Sequence, residues 1–116
     1  MKYIITESRL ESAVIHYLNE MYGDLKEYRT DEYPNMVFYV KDKKVYMELS
    51  RENGDLWIDY SSIWEDLETI FGLEDEEIER IITKWAKKTY NISRKVPLSY
   101  FHRTLIPTGD TFEVYV

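Results

Sequence analysis

Three carboxylates, Asp42, Glu48 and Asp59, fall on, or in the turn between, successive segments with strand character. Acids spaced in this way can share a divalent metal ion, which activates a bound water for hydrolysis. Interleaved with them are Tyr39, Tyr46 and Trp57. Exposed aromatics of this kind anchor a protein partner, while neighbouring charge governs encounter and orientation. The two histidines, His16 and His102, are far apart and fit no ligand spacing such as H-E-x-x-H. Ser93 and Ser99 lack a nucleophile elbow, and the four glycines are too scattered to cradle a phosphate. Nucleotide chemistry and serine catalysis are therefore not expected, and no cofactor is implied.

Charge is distributed unevenly around these groups. From Glu48 to Glu79 there are twelve carboxylates and one base, Arg51, whereas Arg80 to Val116 carries seven bases and two acids. Spaced carboxylates can imitate the phosphates of a nucleic acid and occupy a basic groove on another protein. The plainer account is a solvated surface: Glu65 and Glu68 lie opposite the apolar stripe of their helix, Glu76 can pair with Arg80, and Glu74 to Glu77 favour a helix start. Lys84, Lys87, Lys88, Arg94 and Lys95 form a basic patch that offsets neighbouring acids. With a net charge of −7 the chain would repel DNA or RNA, so the expected partner is a protein with a basic surface.

These groups must be positioned by regular elements. Thr6 or Ser8 can cap a first helix with Leu10, Val14, Tyr17, Leu18 and Met21 on one stripe and Gly23 as a left-handed stop. Met36 to Lys41, Val45 to Arg51 and Leu56 to Tyr60 alternate with period two, separated by tight turns at Asp42-Lys43 and Asn53-Gly54, and predict an antiparallel meander. Leu25 to Arg29 adds a possible edge strand. Ser62 and Glu65 read as a capping box for a helix with the stripe Ile63, Leu67, Ile70 and Phe71, ending at Gly72. A further helix runs from about Glu74 to Tyr90, and after an irregular stretch from Val96-Pro97, a turn at Pro107 to Asp110 leads to a last strand, Thr111 to Val116. If Phe38, Val40, Val45, Met47, Leu49, Leu56 and Ile58 point to the core, then Val37, Tyr39, Tyr46, Glu48, Trp57 and Asp59 occupy the outer face. That face is either a docking platform or is covered by Leu98 to Val116 as a second core layer.

The order predicts an α+β fold, a single domain spanning 1–116 with helices on one face of its sheet. At 44% hydrophobic and 16% aromatic residues, the chain can offset its conformational entropy. It has no cysteine, hence neither disulfides nor a thiolate metal site, and a reducing cytoplasm is the expected compartment. The opening apolar stretch, Tyr3 to Ile5, is too short for a signal-peptide core, and no run approaches spanning length. Asn91-Ile92-Ser93 matches a glycosylation acceptor, which is idle without export.

Three resemblances bear on function. The helix-meander order with Asp42 and Glu48 resembles the PD-(D/E)xK nucleases, which would imply metal-dependent hydrolysis; a hydrolase reading of this chain adds Asp59 as a further acid. Position 50, however, is Ser where that family has Lys, and no proline precedes Asp42. The same order is similar to double-stranded-RNA-binding domains, against which the charge also speaks. Met1 to Leu10 (MKYIITESRL) and the pattern Phe71-Gly72-Leu73, Glu77-Ile78, Ile81-Ile82, Trp85, Tyr90 resemble small uncharacterised proteins of bacteriophage genomes. That likeness implies an accessory protein, a group in which acidic inhibitors of host machinery are common. The expected function is thus a non-enzymatic protein-binding module, a monomer or homodimer, whose docking residues are Tyr39, Tyr46, Glu48, Trp57, Asp59, Glu65, Asp66 and Glu68. The alternatives are the metal-dependent hydrolase and a structural or self-associating protein built on exposed strand edges.

Overall fold

The computed structural model describes residues 7–93, 98–109 and 111–115, so Met1 to Thr6, Arg94 to Pro97, Asp110 and Val116 lie outside the described residues. Helix α1 (Glu7–Tyr22) is followed by strands β1 (Lys26–Tyr28), β2 (Met36–Lys41), β3 (Lys44–Ser50) and β4 (Leu56–Asp59). A five-residue π turn, Tyr60–Trp64, leads into α2 (Glu65–Phe71) and then α3 (Asp75–Tyr90). Strands β5 (Ser99–Phe101), β6 (Thr104–Thr108) and β7 (Thr111–Tyr115) complete the chain. The fold is α+β, and no helix among the described residues is long and apolar enough to cross a membrane.

One sheet has the order β1-β2-β3-β4-β5, and β6 and β7 form a separate antiparallel pair. The first four strands pair antiparallel and include the expected edge strand; β5 instead joins β4 in parallel, after the chain has passed through α2 and α3. A parallel partner requires such a crossover, because a tight hairpin can deliver only an antiparallel neighbour. The turn at Asp42-Lys43 forms as the sequence predicts, with both residues at positive φ, the conformation of a two-residue hairpin turn. At the next connection Ser50 N–H donates to Asp55 C=O and Asp55 N–H to Asn53 Oδ1, so a longer loop replaces the expected two-residue turn.

The sheet is buried on both faces. On one side Val37, Tyr39, Met47, Leu56 and Ile58 pack with Val14 and Leu18 of α1 and Ile78, Ile81, Ile82 and Trp85 of α3. On the other, Phe38 and Val45 meet Phe101, Leu105 and Phe112, so the C-terminal hairpin supplies the second core layer. The expected outer face is therefore corrected in β2, where Val37 and Tyr39 face the helices while Phe38 and Val40 face the hairpin. A register shift opposite Tyr39 and Val40 explains why one alternation fails along β3: Tyr46 is the extra residue of a bulge, placing Val45 on the hairpin side and Met47 on the helix side.

Helix details also depart from expectation. Met21 is exposed, and Tyr22 takes its place in the core. Ser8 is itself helical within α1 rather than at its cap. Gly23 is not left-handed; a Cβ there would collide with the Asn19 carbonyl oxygen. Ser62 does not cap α2, which starts only at Glu65, and Ile70 is exposed. Gly72 does end α2 in the left-handed region at φ 65°, and α3 carries a capping box between Glu74 and Glu77.

Candidate functional site

The parallel pairing brings the carboxyl ends of β4 and β5 side by side, with Asp59 opposite Phe101. The chain leaves these ends through Tyr60 on one strand and His102 on the other. Their rings lie 4.6 Å apart, and Tyr100 completes the group at 5.0 Å from Tyr60 and 5.3 Å from His102. Tyr100 in turn rests on Trp64, 4.9 Å away, which is buried at 2% exposure. Tyr100 itself is 38% exposed, and His102 is open to solvent.

Asp59 positions this cluster. Its carboxylate is fully buried, accepts hydrogen bonds from the hydroxyls of Ser61 at 3.2 Å and Ser62 at 2.7 Å, and pairs with Lys44 Nζ at 2.8 Å. Serine hydroxyls satisfied by a preceding aspartate hold the chain in a local turn in place of a regular helix start. That turn is the π segment that presents Tyr60 outward and tucks Trp64 beneath Tyr100.

Acidic residues border the rings. Tyr60 donates to Glu68 Oε2 at 3.3 Å. Partial burial, then the charges of Glu68 and Glu65, raises the pKa of the Tyr60 hydroxyl. Two rings and an imidazole beside two carboxylates form a surface suited to a guanidinium or ammonium group, which stacks on aromatic faces and is drawn by negative charge.

The expected docking residues scatter. Glu65 and Glu68 border the cluster and Asp59 supports it from within. Trp57 is 38% exposed, opposite Glu48 on β3 and Ser99 on β5 in register. Tyr39 is corrected from anchor to core: it is 3% exposed and packs on Tyr90, because its strand is inverted relative to expectation. Tyr46 is half-buried at the bulge, against Tyr22 and beneath Lys44. Glu48 is buried and paired with Arg103 at 3.1 Å. Asp66 accepts hydrogen bonds from Tyr17 at 2.8 Å and Tyr22 at 2.6 Å, which ties α2 to α1.

The three acids of the hydrolase alternative do not converge. Asp42 is exposed in its turn, whereas Glu48 and Asp59 each hold a different base. No group of three histidine, cysteine or acidic side chains that could hold a metal ion occurs among the described residues.

Tyr60, Tyr100 and His102 did not stand out as a site in the sequence because Tyr100 lies forty positions beyond Tyr60. The available signal was local: a strand ending in Asp-Tyr-Ser-Ser, and a Tyr-Phe-His triplet whose alternation marks a short strand. Comparison with protein-family models, curated proteins and solved structures gave no match.

Proposed function

We propose that this protein is a non-enzymatic binding module that docks on a basic protein surface through Tyr60, Tyr100 and His102, with Glu65 and Glu68 as the electrostatic complement. The observation that carries this proposal is the partly exposed ring cluster, supported by the buried Asp59 and bordered by acids. Aromatic groups on a rigid support lose little conformational freedom on binding, and charge steers the encounter. An arginine-rich segment of the partner supplies both the flat cation and the opposite charge.

The sequence likeness to phage accessory proteins supports a more specific form, an inhibitor that covers the nucleic-acid-binding surface of a host protein. In that form the carboxylates of the Glu48 to Glu79 block that remain at the surface stand where phosphates would. Binding then weakens steeply with salt and competes with DNA or RNA.

A direct test is to titrate a fluorescent arginine-rich peptide against the wild-type chain and Tyr100→Ala. Loss of affinity by about tenfold or more in the variant is expected, the size of a typical aromatic anchor. Equal affinities would remove this surface from the account.

A further inference from the structure

A cavity of about 310 Å³ lies between the sheet and the C-terminal hairpin, lined by residues other than those of the Tyr60 surface. Tyr33, Met36, Phe38, Leu105 and Phe112 line it with apolar surface, and among the described residues Glu48 and Arg103 supply its only charges. Its volume is about twice the ~150 Å³ of an engineered apolar cavity that admits benzene, so it has room for one or two fused rings. Phe38 and Phe112 lie 4.5 Å apart, with Tyr33 5.9 Å from Phe112.

Arg103 is held in a fixed orientation there. Its Nη2 donates to both oxygens of Glu48, at 3.4 and 3.1 Å, and its guanidinium lies 5.2 Å from the centre of the Phe101 ring. Only Nη2 is engaged in this way, so Nε and Nη1 have no partner among the described residues. The Arg103 side chain is 43% exposed whereas that of Glu48 is 8% exposed. A buried carboxylate in an apolar wall is weak evidence for stability, since apolar replacements of such pairs are commonly neutral or stabilising. A guanidinium oriented at the side of an apolar cavity, with donors to spare, is the arrangement that recognises a ligand carboxylate.

We propose that this cavity binds a small organic acid: a flat apolar body of one or two rings seated among Phe38, Leu105 and Phe112, with its carboxylate on Arg103. Glu48 is the positioning residue that orients the guanidinium. The site shares no residue with the docking surface, so either can fail without the other.

Calorimetric titration of the full chain with 2-naphthylacetate, 2-naphthylacetamide and 2-naphthylethylamine tests the proposal. The acid is expected to bind saturably and at least about tenfold more tightly than the amide or the amine, a difference that one charge-assisted pair supplies. Arg103→Gln is expected to reduce binding of the acid to the level of the amide. Met36→Trp, which narrows the cavity and leaves the ion pair in place, is expected to abolish it. Absence of saturable binding, an amine that binds as tightly as the acid, or an acid affinity unchanged in Met36→Trp would overturn the proposal, even if Arg103→Gln fails to fold.

Discussion

Lys44 Nζ lies 2.8 Å from Asp59 Oδ2, joining the start of β3 to the end of β4 beneath the π turn that carries Tyr60. Asp59 has no exposed side-chain surface, and Lys44 remains 25% exposed. The pair is therefore asymmetric. Asp59→Ala removes the acceptor of two serine hydroxyls as well as the partner of Lys44, and is expected to cost about 3 kcal/mol, within the range for breaking buried polar networks. Lys44→Met leaves both serine hydroxyls on Asp59 and is expected to cost about 1–2 kcal/mol. Urea denaturation of the two variants measures the difference, and the order of the two effects is the content of the prediction.

The Glu48–Arg103 pair is expected to respond in the opposite sense on its acidic side. Burial raises the Glu48 pKa, and the nearby Arg103 lowers it, with burial the larger influence. A carboxyl group whose folded pKa exceeds its unfolded value binds more protons when folded, so its contribution to stability declines as pH rises through the interval between the two. Glu48→Gln is expected to be neutral or stabilising by up to about 1 kcal/mol at neutral pH, whereas Arg103→Gln leaves a buried charge unpaired and costs about 2 kcal/mol. Paired denaturation curves at pH 7 check both signs.

Alkaline titration probes the tyrosines that join the layers. Burial, followed by the hydrogen bond to Asp66, pushes the Tyr17 pKa up to about 12, and the same causes raise Tyr22. Burial also pushes Tyr39 up to about 12. These hydroxyls hold their protons in the folded state at pH values where the unfolded chain has released them. Their stabilising contribution is thus complete below the ordinary tyrosine pKa near 10 and is lost as pH rises from there towards 12. Absorbance near the phenolate band should show part of the tyrosine complement ionising only together with unfolding; a single smooth titration of all tyrosines in a folded chain would contradict this.

How much of this was legible in the sequence differs from element to element. The Asp42-Lys43 turn, the end of α2 at Gly72 and the extent of α3 follow from local chemistry, and each forms as its residues predict. Strand β2 did not reveal its inward face, because Met-Val-Phe-Tyr-Val is apolar at every position and both faces are covered. The bulge at Tyr46 depends on pairing across strands, which local alternation does not encode. Ser62 illustrates competition: its hydroxyl suits a helix cap, but the buried Asp59 three residues earlier takes it. The Tyr60 cluster required knowing that β5 returns beside β4, a long-range pairing carried by only three residues.

Removing exposed rings should separate binding from folding. Tyr100→Ala and His102→Ala are expected to change stability by less than about 1 kcal/mol each, as partly exposed positions commonly do, whereas Trp64→Ala should cost about 3 kcal/mol through loss of a buried aromatic. Thermal unfolding of the three variants gives the comparison.

The central claim is that an arginine-rich partner docks on the rings at the ends of β4 and β5. Amide chemical-shift mapping of the labelled chain with a hexa-arginine peptide, at low and high salt, tests it most directly. Shifts concentrated on residues 57–68 and 99–102, saturable at low salt and reduced at high salt, are the predicted result. Shifts confined to the acidic start of α3, Glu74 to Glu79, or spread evenly over every surface carboxylate, would contradict it.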